Sequence, residues 1–255
     1  MKNHKNILIT GASSGIGKAL AIKYSQAGVN LFLAGRDFNK LEETKEICQA
    51  LKANISYKII DVKDELAMQN WIEEIEKTYQ LSLVIACAGI SAGTAGGLES
   101  ANQIKEIFAV NLDGVLNTIN PAIAKMKERK AGQIVIISSL AGFRGLPSSP
   151  AYSASKAAVR VYGEGLRGNL EKIGIAVNVV CPGYIKTPMT DVNEFPMPFL
   201  MSPEKCAAII VKGLEKNKSR ISFPFPLFFV VWLATLLSNK ITDPIFAKLP
   251  SKKAL

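Results

Sequence analysis

The sequence of 255 residues contains one histidine and four cysteines, and both scarcities limit its chemistry. The histidine, His4, lies near the amino terminus, which leaves little from which a Ser-His-Asp or Cys-His catalytic group could be built. The cysteines Cys48, Cys87, Cys181 and Cys206 are far apart and form no CxxC pair, so no metal site is expected. We interpret them as small buried residues of a protein in a reducing compartment.

The chain also has no evident secretory signal or nucleic-acid-binding module. Its first residues run directly into a strand-like segment, without the apolar core of a signal peptide. The net charge is +10, but residues 212–255 hold eight basic and two acidic residues and so supply +6 of it. Because no basic stripe accompanies this charge, we expect no nucleic-acid partner. We expect a cytoplasmic protein, with peripheral membrane contact as an option.

Strand-like and helix-like segments alternate along the chain. With 48% hydrophobic and 20% charged residues, the chain is expected to fold rather than to be disordered. The strand-like runs are almost continuously apolar, as is typical of parallel strands covered on both faces. We predict an α/β fold: a single doubly wound domain, residues 1–220, with a mostly parallel sheet flanked by helices, followed by an extension, residues 221–255. The predicted strands are 6–10, 30–34, 56–60, 83–86, 133–138 and 176–180, and the predicted helices are 16–27, 38–53, 65–79, 101–130, 150–172 and 203–216.

Two irregular segments follow predicted strands. Residues 90–100 are rich in Gly, Ala and Ser, and residues 181–202 are rich in Pro. Open α/β sheets bind ligands at the carboxyl ends of their strands, and long loops in compact domains are usually binding loops. We therefore expect both segments to border a ligand site.

A glycine-rich run, Thr10-Gly11-Ala12-Ser13-Ser14-Gly15-Ile16-Gly17, joins the first strand to the first helix. Glycines allow a sharp turn and a close approach of bare backbone, and a helix amino terminus attracts phosphate. The alternatives are a purely structural turn and the Gly-x-Ser-x-Gly motif of hydrolases, although the latter needs a histidine after the serine. The context of strand, turn and helix favours a dinucleotide. The predicted contacts are Gly11, Ser13, Ser14, Gly15, Ile16 and Gly17.

The end of the second strand, Gly35-Arg36, carries the prediction of cofactor type. An acidic residue here binds the adenosine ribose of NAD, whereas an arginine accommodates the 2′-phosphate of NADP. Arg36 therefore favours NADP(H) over NAD, unless Arg36 is only a surface residue and Asp37 binds the ribose. Asp61, after the third strand, either accepts a hydrogen bond from the adenine amino group or serves as an acidic residue at a helix start.

Tyr152 and Lys156 are four residues apart, which places them on one face of a helix. A free tyrosine, with a pKa of about 10, is a poor base near neutrality. A neighbouring ammonium is expected to lower that pKa and to create a proton-transfer group. Ser139 lies at the end of the fifth predicted strand. Each residue alone could be structural, but together with the phosphate loop they indicate an enzyme.

These motifs resemble the short-chain dehydrogenase/reductase family over about residues 5–220, which implies a Rossmann fold. The resemblance implies that Tyr152 exchanges a proton with the substrate oxygen, that Ser139 hydrogen-bonds that oxygen, and that Lys156 also binds the nicotinamide ribose. It further implies that Asn111 holds a water connecting Lys156 to solvent. The other cofactor contacts implied by the family are Ala88, Gly89, Pro182, Gly183, Ile185 and Thr187.

One stretch departs from the sequence pattern of the family. The family usually has Asn-Asn-Ala-Gly after the fourth strand, whereas this chain has Ala86-Cys87-Ala88-Gly89. Both amides are missing, so their hydrogen bonds must be made otherwise or lost. We interpret Cys87 as a buried inert thiol rather than a redox-sensitive one. Because the catalytic positions remain, the resemblance implies an NADPH-dependent carbonyl reductase or alcohol dehydrogenase. The alternative is a non-catalytic NADP-binding sensor or interaction module.

Residues 221–239 carry no charge, and their prolines limit any helix to about residues 226–238. Such a helix is too short to span a bilayer, which takes about 20 residues. Three interpretations remain open for residues 223–237: a helix lying on a membrane surface, a dimer-forming or substrate-capping element, or an ordinary core segment. We expect a small apolar carbonyl or alcohol substrate and a homodimer or homotetramer.

Overall fold

The computed structural model describes residues 4–248, 250 and 252–254 and contains a sheet of seven parallel strands. The strand order is β3-β2-β1-β4-β5-β6-β7, so the order reverses between β1 and β4. The predicted doubly wound α/β fold is therefore confirmed. The strands are β1 (Asn6–Thr10), β2 (Asn30–Gly35), β3 (Asn54–Ile59), β4 (Leu83–Ala86), β5 (Gly132–Ile137), β6 (Ile175–Pro182) and β7 (Arg220–Phe223).

Helices cover both faces of this sheet. Leu8 and Ile9 are neighbours on β1, and each is wholly buried in a different hydrophobic cluster because successive side chains point to opposite faces. Helices α1 (Gly15–Tyr24), α2 (Phe38–Ala50) and α8 (Pro203–Glu215) pack on the Ile9 side. On the Leu8 side pack α3 (Glu65–Thr78), α5 (Gly114–Arg129) and α6 (Pro150–Leu170).

The helix predicted over 101–130 is interrupted. It consists of α4 (Ala101–Phe108), a π-helical turn (Ala109–Asp113) and α5, all within one rod. A π turn accommodates one additional residue and is frequent at functional sites. The turn contains Asn111, whose side chain is completely buried.

The sheet extends past the boundary predicted at residue 220, because β7 ends at Phe223 and pairs with β6. Helices α9 (Phe225–Leu236) and α10 (Asn239–Phe246) follow it, whereas the short α7 (Pro188–Asp191) lies earlier, in the loop after β6. The predicted outer limits, residues 1 and 255, lie outside the described residues. Within the described chain, no helix combines the length and apolar character needed to cross a membrane.

Helix α9 is not an ordinary core segment, so that interpretation of residues 223–237 is wrong. Ala234 is the one buried residue that the helix has. Phe225 and Leu236 are 69% and 64% exposed. Phe228 anchors the helix to the domain, with its ring centroid 5.6 Å from that of Phe143.

Candidate active site

The glycine-rich turn is shaped for a close approach of backbone and ligand. Gly11 and Gly15 have φ angles of +68° and +52°, a backbone conformation that residues with a side chain rarely adopt. A methyl group on Gly11 would lie 2.8 Å from Ala88 Cα, and one on Gly15 would lie 2.8 Å from Thr187 Cγ2. The turn is thus pressed between the segments that follow β4 and β6.

The first helix presents its amino terminus to this turn. Ser14 is the N-cap residue of α1, and within the described chain its side chain accepts no capping hydrogen bond from the helix. The first N–H groups of the helix can therefore be directed to an anionic group. Ile16 packs against the hydrophobic core and fixes the helix start.

Thr10, which was not among the predicted site residues, links the turn to the segment after β4. Its Oγ1 accepts hydrogen bonds from the backbone N–H groups of Cys87 and Ala88, at 3.2 and 3.4 Å. Thr10 thus fixes the backbone of the segment in which the family usually has two asparagines. Burial raises the pKa of the Cys87 thiol to about 12, as an inert thiol requires.

The end of β2 brings a guanidinium beside the glycine-rich turn. A methyl group on Gly35 would lie 3.2 Å from Ser13 Oγ, so the turn and the strand end are adjacent. The following side chain, Arg36, is 56% exposed, and its Nη1 lies 3.9 Å from Asp61 Oδ2. Asp37 uses its carboxylate elsewhere, because it accepts a hydrogen bond from the Lys40 N–H as the N-cap of α2.

Asp61 has local partners of its own. Its Oδ1 accepts a hydrogen bond from the Lys63 N–H at 3.0 Å, and its Oδ2 lies 3.6 Å from Lys63 Nζ. Both interpretations of Asp61 therefore remain open: it shapes the turn before α3, and it also faces the Arg36 side of the cleft.

Helix α6 places Tyr152 and Lys156 together, as the spacing predicts. Lys156 Nζ lies 5.9 Å from the centroid of the Tyr152 ring and donates a hydrogen bond to the Ile137 carbonyl at 3.0 Å. Burial lowers the pKa of Lys156 to about 8. Ser139, two residues after the end of β5, forms a side-chain hydrogen bond with Tyr152.

The expected lowering of the Tyr152 pKa does not occur in the protein alone. Burial of the hydroxyl raises the pKa, and a hydrogen bond with Ser139 opposes this only in part. The sequence shows that a lysine is near, but it does not show how completely water is excluded from the pair. Tyr152 is therefore held as a neutral phenol.

Asn111 joins the segment after β4 to helix α6. Its Oδ1 accepts from the Ile90 N–H at 2.8 Å, and its Nδ2 donates to the Ile90 carbonyl at 2.9 Å and to Ser155 Oγ at 3.0 Å. A methyl group on Gly89 would lie 3.2 Å from Asn111 Oδ1 and 3.3 Å from Lys156 Nζ. Asn111 and Lys156 therefore border one point beside Gly89.

The segment after β6 forms the opposite wall. Pro182 accepts a 3.5 Å hydrogen bond from Ser139 Oγ through its carbonyl, and Gly183 donates its N–H to the Phe223 carbonyl at 2.8 Å. Ile185 is buried, while Thr187 reaches the glycine-rich turn. The described segments at the carboxyl ends of β1, β4, β5 and β6 thus lie side by side, at the edge of the sheet where open α/β folds bind ligands.

Comparisons with known proteins agree with this architecture. The family model for short chain dehydrogenase matches residues 5–195. The chain belongs to the short-chain dehydrogenase family. An oxidoreductase of Myxococcus xanthus whose activity is uncharacterized is 35% identical over 94% of this chain and 96% of its own.

Two solved structures resemble this short-chain dehydrogenase. A short-chain dehydrogenase from Sphingobium yanoikuyae in complex with NADPH has a TM-score of 0.80 at 22% identity and covers 98% of both chains. A 3-oxoacyl-[acyl-carrier protein] reductase from Brucella melitensis with bound NAD has a TM-score of 0.73 at 28% identity and covers 86% of this chain and 87% of its own. The present chain is accordingly an oxidoreductase that acts on CH–OH or carbonyl groups with a nicotinamide cofactor.

Proposed function

We propose that this short-chain dehydrogenase is an NADPH-dependent reductase that converts an apolar carbonyl compound to an alcohol. The observation that carries the proposal is the grouping of three side chains: Tyr152 bonded to Ser139, with Lys156 Nζ 5.9 Å from the centroid of the tyrosine ring. A phenol whose pKa is raised by burial remains protonated near neutrality, so it can donate a proton to a carbonyl oxygen. The reverse reaction would first require its deprotonation.

When bound in this site, NADPH would supply the hydride for the carbonyl carbon of the substrate. Ser139 orients the carbonyl oxygen, and Tyr152 transfers its hydroxyl proton to that oxygen as negative charge develops there. Lys156 stabilises the resulting phenolate and binds the nicotinamide ribose. Asn111 fixes the backbone of Ile90 and holds a water that connects Lys156 to solvent.

The remaining proposed contacts position the cofactor. The glycine-rich turn holds the pyrophosphate, and the segments after β4 and β6 flank the nicotinamide end. These residues are Gly11, Ser13, Ser14, Gly15, Ile16, Gly17, Ala88, Gly89, Pro182, Gly183, Ile185 and Thr187. Binding in this cradle orients the nicotinamide toward the substrate carbonyl, and orientation alone contributes strongly to rate.

The preference for NADPH rests on Arg36. Its guanidinium follows Gly35 at the edge of the turn, while the Asp37 carboxylate is engaged as a helix cap. The nearer acid, Asp61, lies 3.9 Å from the Arg36 guanidinium and is also held by Lys63, so Arg36 retains N–H groups for a charge-assisted hydrogen bond to the 2′-phosphate. Asp61 is assigned to the adenine amino group in this arrangement.

The proposed apolar substrate, and a membrane surface from which it could come, are supported by α9. A methyl group on Gly183 would lie 3.0 Å from Leu227 Cδ2, so the helix starts beside the proposed nicotinamide wall. Its outer face exposes large apolar side chains, and Lys240 and Lys248 follow on α10 and just after it. An apolar face flanked by lysines is typical of a helix that binds anionic lipid.

We place this enzyme in the cytoplasm, which agrees with its four free cysteines. A homodimer or homotetramer formed through α9 is the competing explanation for the exposed face. Sedimentation with and without anionic vesicles separates these two arrangements.

The decisive experiment mixes the purified protein with NADPH and, separately, a long-chain methyl ketone, a steroid ketone and a small aldehyde. Loss of NADPH absorbance with the apolar ketones, and slower turnover with NADH, is the expected result. Tight NADPH binding without turnover of any carbonyl would instead indicate the non-catalytic sensor.

A further inference from the structure

Residues 252 and 253 pass across the proposed substrate cleft, far in the chain from the residues already assigned to the site. We name Lys252 and Lys253 the strap. The Ala95 N–H donates to the Lys252 carbonyl at 2.9 Å, and the Gly93 N–H donates to the Lys253 carbonyl at 2.6 Å. These backbone bonds attach the strap to the loop that follows β4.

The strap also reaches the loop that follows β6. Lys253 Nζ forms a 2.7 Å ion pair with Glu194 Oε1. A cavity of about 230 Å³ lies between the strap and this loop and is lined by Val192, Asn193, Phe195 and Pro250, among others. The strap therefore connects both loops that border the cleft.

The side chain of Lys252 points to the catalytic tyrosine. Its Nζ donates to Ser91 Oγ at 2.7 Å and lies 5.9 Å from the centroid of the Tyr152 ring. Lys156 Nζ lies at the same distance from that ring. Burial lowers the pKa of Lys252 to about 8, as for Lys156, so the group is withdrawn from bulk water.

The two lysines reach Tyr152 from different parts of the chain. Lys156 is on the same helix as Tyr152, four residues away, whereas Lys252 is brought in by the strap. The four-carbon stem of a lysine covers apolar surface while its ammonium is hydrogen-bonded. The Lys252 side chain lies beside both Ser91 and the ring of Tyr152.

We propose that Lys252 is a specificity-determining residue whose side chain forms the outer wall of the substrate cleft and favours slender over bulky carbonyl compounds. This inference rests on the proposed carbonyl reduction. Removing the stem widens the cleft, and a change of a few methylene groups in a binding pocket alters discrimination by about tenfold or more.

The test compares kcat/KM for dicyclohexyl ketone and methyl nonyl ketone, with NADPH, in the full chain and three variants. We expect Lys252→Ala to raise the bulky-to-slender ratio by about tenfold or more. Lys252→Met keeps most of the stem without the charge and should retain the wild-type ratio. Lys172→Ala is the control, because Lys172 is also an exposed lysine and belongs neither to the strap nor to the two loops that it connects.

Binding of NADPH, measured by fluorescence titration, should be equal in all four proteins. A ratio within twofold of wild type in Lys252→Ala overturns the proposal, as does a Met variant that behaves like the Ala variant or a Lys172→Ala shift of equal size. If wild type binds NADPH but reduces neither ketone, the proposed function fails and this inference fails with it.

Discussion

The sheet domain and helix α9 are both rich in apolar residues, yet they bury them to different extents. On β4 all four residues are buried, and Leu83, Val84 and Ile85 are wholly inaccessible. On α9, Val230 and Leu236 are more than 60% exposed. The strand is covered by helices on both faces, whereas the described chain covers α9 only along the side that carries Phe228.

This difference shows that apolar composition alone does not determine whether a segment is buried within its own chain. In the sheet domain, alternation along each strand sends side chains into two clusters of the same chain. Helix α9 is apolar on all sides, so one contact with the domain cannot cover it. The catalytic and the exposed region should consequently respond independently to substitution, as the following predictions require.

The largest effect is expected for Tyr152→Phe, which removes one hydroxyl while the ring still packs. Turnover should fall by about 10²–10⁴-fold, because the proton donor is lost. NADPH and vesicle binding should be unchanged. The matched control is Tyr162→Phe on the same helix, where the ring is 38% exposed. Wild-type turnover in Tyr152→Phe would remove this residue from the mechanism.

Next in size is the effect of Arg36→Ala on cofactor selection. Loss of a charge-assisted contact with the 2′-phosphate should weaken NADPH binding by about 1.5–3 kcal/mol. NADH lacks that phosphate, so its dissociation constant is the internal control and should stay nearly constant. Superimposable NADPH titrations of wild type and variant would contradict the assignment of Arg36.

Lys156→Met should stabilise the fold while it impairs catalysis. Burial lowers the pKa of Lys156 from 10.5 to about 8, so the charged form is disfavoured in the folded state. Each pKa unit corresponds to about 1.4 kcal/mol in the free energy of unfolding. The variant also loses the hydrogen bond to the Ile137 carbonyl, which offsets part of this gain. The net increase in the free energy of unfolding should be about 1–3 kcal/mol near pH 7.

The pH dependence of that gain has a definite sign. Below pH 8 the folded protein must hold a charged, buried Lys156, so the penalty is complete there. As the pH rises from about 8 toward 10.5, the folded lysine loses its proton first and the penalty disappears. Urea unfolding of both proteins near pH 7 and near pH 10 should show the difference shrinking. A difference that grows with pH would refute the assignment.

The smallest effect concerns the exposed helix. Leu236→Gln should weaken binding to anionic vesicles by about 1 kcal/mol, or about fivefold, because a partly inserted leucine loses its apolar contact. Leu66→Gln is the matched control, since Leu66 is 66% exposed on α3 in the sheet domain. Cosedimentation measures both. Equal binding by the two variants, together with a fall in oligomer size for Leu236→Gln alone, would favour a subunit interface over a membrane.

The sequence predicts the sheet well because each buried strand is a continuous apolar run between helical segments. It misses β7, since four residues beginning with Arg220 merge into the uncharged stretch that follows. It also misses Lys252, because contact with Tyr152 across such a distance in the chain leaves no periodic signal. The predicted direction of the Tyr152 pKa shift was wrong for a similar reason. The four-residue spacing indicates that Lys156 is near, whereas the burial that raises the pKa depends on the whole fold.

The π-helical turn makes one helix of this protein sensitive to length rather than to composition. A π turn spreads one additional residue over a full turn, so the α-helices on either side keep their direction. Deleting one residue from Ala109–Asp113 would restore a regular α-helix, but the side chains within the turn itself would shift their direction, by up to about 100°. Asn111 would then lose its bonds to Ile90, even if every remaining residue were retained. Insertions and deletions here should therefore be tolerated less well than conservative substitutions at the same positions.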